Sequence, residues 1–185
     1  MTNLNQLPED LPIPVDDGGT SHLVGLRLPD IALQATNGEL INLSKIEGTL
    51  VVYCYPMTGR PDVPLPDGWD KIPGARGCTP QSCSFRDHYQ ELKALGADVV
   101  GLSTQPTDYQ QEMVSRLHLP FKVVSDSNFL FTDALSLPTF VAANQTLLKR
   151  ITIISRDSVI QAVHYPVFPS DKDPEWVMSH LLGTD

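Results

Sequence analysis

The chain is poor in positive charge: 13 lysines and arginines stand against 22 aspartates and glutamates, a formal net charge of −9 at pH 7. Nucleic acids and anionic membrane surfaces recruit clustered Lys and Arg, so this balance argues against both as partners. No apolar run approaches the roughly 18 residues of a membrane-spanning helix. The opening residues, MTNLNQLPED, have neither the basic flank nor the apolar stretch of a secretory signal, and a cytoplasmic location is the expectation. Cysteine is scarce too. Cys54, Cys78 and Cys83 are too few for a disulfide scaffold, and in a reducing compartment a close pair points to catalysis or metal binding.

What is present suffices for one domain. A chain of 185 residues buries one full core, not two comfortable ones. Residues 1–20, rich in Pro, Asp, Asn and Gly, read as a flexible N-terminal arm, and 21–185 as the domain. Thr49–Tyr55 and Ala97–Ser103 are continuous apolar runs, as in strands buried on both faces, and Phe121–Val124 is a shorter one. Leu147–Ile154 and Val159–His164 predict a hairpin that turns at Arg156-Asp157-Ser158. Between these lie three predicted helices. The first spans Pro80–Leu95, with Phe85, Tyr89 and Leu92 on one face and Gly96 as its stop. The second spans Pro106–Leu117, and the third runs from Asp173-Pro174 to Leu182. The alternation defines an α/β layered domain with a mixed sheet, parallel at the crossovers and antiparallel at the hairpin. A thioredoxin-like sandwich satisfies this pattern, as do other small α/β folds.

Residues 56–77 break the pattern. This Pro-rich insertion holds five of the sixteen prolines and delivers the chain to Cys78. Structureless links of such length are uncommon and often functional, although a plain surface insertion reads the same way. Trp69 is placed to pack the link down.

The segment from Gly77 to Cys83 carries the chemistry. A thiol attacks only as thiolate, so a catalytic cysteine needs its pKa lowered from about 8.5. Thr79 as N-cap and Pro80 as first helical residue would set Cys78 at the positive end of a helix. Gly77 permits close backbone approach and leaves N–H groups free for an anion, and Arg76 is adjacent. In a regular helix, Cα atoms five residues apart are roughly 8–9 Å apart. A disulfide tolerates about 7 Å, so joining Cys78 to Cys83 requires the first helical turn to unwind. Cys54, inside an apolar strand, reads as a core residue. Two rival functions use the same residues. Cys78, Cys83 and His88 could start a metal site, but zinc prefers tighter cysteine spacing and a fourth ligand, and none stands nearby. A redox sensor could use both thiols without turnover.

At these residues the chain resembles a peroxiredoxin, of the atypical two-cysteine group related to bacterioferritin comigratory protein. The likeness runs from about Gly25 to Leu182. It rests on Leu28-Pro29-Asp30, Gly38, Leu43-Ser44, Tyr53-Cys54-Tyr55-Pro56 and above all Gly77-Cys78-Thr79 followed by Cys83-Ser84-Phe85-Arg86-Asp87. The resemblance implies a thioredoxin-like three-layer sandwich and thiol-dependent reduction of hydrogen peroxide or organic hydroperoxides. Cys78 would be the peroxidatic cysteine, Cys83 the resolving one, and Arg150 the arginine held against the active sulfur. Gly77, Thr79 and Gln81 would border the substrate, with Gln81 where the family often has a carboxylate that orients the arginine. The family's peroxide-binding Thr or Ser, three residues before the cysteine, is here Ala75, and Thr58 is the candidate to fold back in its place. No metal or organic cofactor is implied. The implied reductant is a thioredoxin-like dithiol protein, and monomer and dimer are both allowed.

Overall fold

The computed structural model describes residues 3–183. In chain order it contains β1 (Ala32–Ala35), β2 (Leu40–Asn42), β3 (Thr49–Cys54), α1 (Cys78–Asp87), α2 (Tyr89–Ala94), β4 (Ala97–Ser103) and α3 (Thr107–Leu117). There follow β5 (Lys122–Ser125), α4 (Leu130–Ala134), β6 (Thr139–Ala142), β7 (Gln145–Leu148), β8 (Ile151–Arg156), β9 (Val159–His164) and α5 (Asp173–Leu182). Seven strands form the central sheet in the order β2-β1-β5-β4-β3-β8-β9, and β6 pairs with β7 in a separate ribbon. Pairs β3/β4 and β4/β5 are parallel; β3/β8, β8/β9, β1/β5 and β1/β2 are antiparallel. The mixed sheet of the α/β expectation is therefore present.

The two-residue period of a strand assigns the layers. Along β3, Leu50, Val52 and Cys54 enter one core with Leu102, Phe131, Ile151 and Ile153. Val51, Tyr53 and the following Tyr55 enter the other, against Phe85, Leu92, Met113, Leu117 and Val177 of α1, α2, α3 and α5. Phe85 is fully buried and stacks on Tyr53 with ring centroids 4.5 Å apart. Phe85→Ala is expected to destabilise the protein by about 3–5 kcal/mol, read from the midpoint of a urea unfolding curve.

Two predicted elements divide. The helix expected over Pro80–Leu95 starts earlier, at Cys78, and breaks at His88 into α1 and α2. At that break the His88 backbone N–H and ring Nδ1 both face Ser84 O, each at 3.0 Å, so the side chain competes for a helical acceptor. The strand expected over Leu147–Ile154 is β7 and β8, because the chain changes sheets at Lys149-Arg150.

The β6–β7 ribbon seats the Pro-rich insertion. Trp69 is buried with Ala75, Ala142 and Leu147, and Leu65, Ile72 and Phe140 pack around them. The described part of the residues read as an N-terminal arm is tied to the body at Asp17, which pairs with Lys149 and accepts from the Tyr165 hydroxyl at 2.7 Å. Among the described residues no helix is long and apolar enough to cross a membrane.

Candidate active site

Gly77 sets where α1 begins. Its φ of 111° is left-handed territory that favours glycine, and a Cβ there would lie 2.2 Å from Ser170 Oγ. Its carbonyl accepts from Gln81 N at 3.0 Å, the first bond of the helix, and from Ser170 Oγ at 2.9 Å. Gly77 is thus the N-cap, not Thr79, and Cys78 itself is the first helical residue. Thr79 occupies the second position and Pro80 the third. The reason is backbone geometry: the turn into the helix needs a conformation that glycine adopts without strain. Cys78 keeps the place expected of it, at the end where N–H groups lack intrahelical acceptors.

Cys78 is 3 % exposed. Arg150 Nη2 lies 3.3 Å from it and also donates to the carbonyls of Gly74, Ala75 and Arg76 at 3.2, 3.1 and 3.2 Å. Arg150 sits just before β8, with the same parity as Thr152 and Ile154, so it faces the α1 side of the sheet. A buried guanidinium at this distance donates a charge-assisted hydrogen bond to the sulfur. Arg76, the sequence neighbour, turns elsewhere: Nη2 donates to Asn3 O at 2.7 Å and Nη1 lies 3.6 Å from Asp70 Oδ1.

Gln81 is fully buried between two charges. Its Oε1 accepts from Arg150 Nη1, and its Nε2 donates to Asp173 Oδ2 at 2.7 Å. Thr152 Oγ1 donates to the same Asp173 oxygen at 2.6 Å, and His164 Nδ1 lies 2.8 Å from Oδ1. Sequence reading named Arg150 and Gln81 but missed Asp173, Thr152 and His164. One signal was available: Arg150 and Thr152 lie two apart in the predicted strand and so share a face.

Thr58 is buried, and its neighbours Met57 and Gly59 line the crevice over Cys78. Its own N–H and Oγ1 donate to Gln105 Oε1 at 2.9 and 3.2 Å, while Gln105 Nε2 donates back to Thr58 O at 3.3 Å. Its hydroxyl proton is engaged by Gln105, a partner the sequence did not suggest. The crevice, bounded also by Leu4, Leu65, Trp69 and Arg76, encloses about 10 Å³. That is room for about one water.

Cys83 is half-buried in the same helix and opens on a different cleft, of about 650 Å³, beside Pro61, Arg86, Arg116 and Leu117. Leu4 borders both openings. Burial pushes the Cys83 thiol up, and the Asp87 carboxylate adds to this, while Arg86 and Arg116 act against it. Cys54 is fully buried and its thiol is pushed far up, first by burial and then by the Asp126 and Asp173 charges. All three cysteines are free thiols. Among the described residues no cluster of three or more His, Cys, Asp or Glu side chains could hold a metal ion.

The fold is a thioredoxin-like sandwich in which α1 presents its first residue, Cys78, to a buried arginine. The model of the Redoxin family matches residues 23–177. The chloroplastic peroxiredoxin Q of Sedum lineare is 30% identical over 146 residues, which cover 78% of this chain and 69% of that one. The chloroplastic peroxiredoxin Q of Oryza sativa subsp. japonica is 29% identical over 150 residues, covering 80% of this chain and only 61% of the rice protein. The crystal structure of the peroxidoxin BcpB of Mycobacterium tuberculosis superposes with a TM-score of 0.71 at 21% identity, over 89% of this chain and 99% of that one. The chain belongs to the Redoxin family, in its peroxiredoxin Q group.

Proposed function

We propose that this chain is a thiol-dependent peroxidase acting on hydrogen peroxide or organic hydroperoxides. One observation carries the reading: a buried guanidinium lies 3.3 Å from a cysteine sulfur that begins a helix, with a second cysteine in the same helix. The Cys78 thiolate attacks one peroxide oxygen and the O–O bond breaks. The leaving hydroxide or alkoxide takes a proton and departs as water or alcohol. Arg150 and the first N–H groups of α1 stabilise the charge where it develops, which lowers the barrier to attack. Cys78 becomes a sulfenic acid. The Cys83 thiolate then attacks its sulfur, expelling hydroxide and closing a disulfide as the first turn of α1 unwinds. A thioredoxin-like dithiol protein returns two electrons by exchange. The cycle suits a compartment that keeps thiols reduced, such as the cytoplasm.

The test is to add one equivalent of hydrogen peroxide to reduced protein, alkylate, and map the thiols by mass spectrometry. Loss of two alkylatable thiols as a Cys78–Cys83 linkage, with sustained consumption under excess dithiol, is the expected result. A protein with demonstrably reduced thiols that consumes no peroxide overturns the reading in favour of a sensor.

A further inference from the structure

Gln81 offers Arg150 a neutral acceptor, yet a carboxylate stands one hydrogen bond further on. Asp173 is 0 % exposed, and Gln81 Nε2, Thr152 Oγ1 and His164 Nδ1 converge on its two oxygens. A carboxylate only accepts, so each of the three presents a hydrogen to it, including Nδ1 of His164. Buried charge is tolerated only when compensated in this way. The convergence follows from the fold. Thr152 pairs with His164 across β8 and β9, Arg150 lies two residues before Thr152, and Asp173 opens α5.

We propose that Asp173 is a positioning residue for the Cys78 site, supplying through the Gln81 amide the negative charge that holds Arg150 against the sulfur. The inference rests on Cys78 as the attacking sulfur. The amide has only one workable orientation. With Nε2 on Asp173, Oε1 faces Arg150; flipped, it would set two donors together at Arg150 and two acceptors together at Asp173. An amide held between a guanidinium and a carboxylate is polarised by both, and each hydrogen bond is strengthened. The guanidinium is a rigid plane, so fixing Nη1 on Gln81 also fixes Nη2 on the sulfur. His164 holds the second Asp173 oxygen while its ring stacks on Trp176, centroids 4.5 Å apart.

The experiment uses the full chain with Cys83→Ser. Cys54 is then the only other thiol, and its burial keeps it protonated, so absorbance at 240 nm at pH 7 reads the Cys78 thiolate. Asp173→Asn is expected to reduce that signal and to slow the reaction with hydrogen peroxide about tenfold, the scale of one charge-assisted hydrogen bond. Combining Asp173→Asn with Gln81→Glu exchanges amide and carboxylate, places the charge directly on Arg150, and is expected to restore both readings. If Asp173→Asn lowers the melting temperature, Gln81→Met breaks the same chain at its middle and should reproduce the loss. An unchanged thiolate signal in Asp173→Asn, or no recovery in the exchanged pair, overturns the proposal and leaves Asp173 as an anchor for α5. The thiolate reading does not depend on turnover, so this failure is distinct from failure of the peroxidase reading.

Discussion

Cys78→Ser is expected to lower peroxide consumption on the order of a thousandfold or more, because a serine hydroxyl is not ionised where a thiol is and no other activated nucleophile stands in the crevice. Cys83→Ser has a different signature. Its Cys78 site is intact, so one equivalent of peroxide is consumed rapidly; with a thioredoxin system as sole reductant, turnover then stops at the sulfenic acid. The difference follows from where the two sulfurs open. Cys78 lies in a crevice of about 10 Å³, and Cys83 on a cleft of about 650 Å³. A protein reductant would reach the second more readily, so in the proposed cycle resolution would bring the oxidised sulfur to the accessible side of the helix. Stopped-flow rates and stoichiometry separate the two variants. Sustained turnover by Cys83→Ser with thioredoxin would remove Cys83 from the mechanism.

Arg150→Met is expected to lower kcat/KM for peroxide by about 10²–10³, as loss of a preorganised donor does at other oxyanion-stabilising sites. Met fills a similar volume but contributes neither charge nor hydrogen bonds, and it leaves the carbonyls of Gly74, Ala75 and Arg76 without this donor. A loss of stability of about 1–3 kcal/mol should accompany it, measured by urea unfolding. Arg150→Lys is the sharper control. One ammonium is a point charge and cannot reproduce a planar fork that bridges Gln81 and the sulfur, so most of the rate loss should persist. Full activity in Arg150→Lys would reduce the role of Arg150 to simple charge.

The long elements were legible because their own residues carry a period. β4 runs over the residues its apolar stretch predicts, and β9 likewise. β1, β2, α4 and β6 are three to five residues long and show no period; their partners define them, as when Gln34 of β1 meets Ser125 of β5. The stretch from Leu147 to Ile154 reads as one strand because nothing local marks a change of sheet; the break comes from pairing of β7 with β6 and of β8 with β3. The site divides in the same way. Cys78 and Cys83 are read from spacing, and Arg150 and Gln81 from resemblance. Asp173 lies 92 residues from Gln81, and its local signal, Asp before Pro, marks only a helix start. Thr79 is a good generic cap, but a left-handed turn selects Gly77.

Cys54 belongs to the core on one face of the central sheet and Cys78 to the core on the other. Three thiols could in principle join in three ways, and the proposed cycle uses only the Cys78–Cys83 joining. The sheet acts as an insulating wall between Cys54 and Cys78. In the proposed cycle, oxidising equivalents that enter at Cys78 would therefore have one exit within the chain, Cys83, and repeated oxidation would keep a single connectivity without an isomerase to repair it.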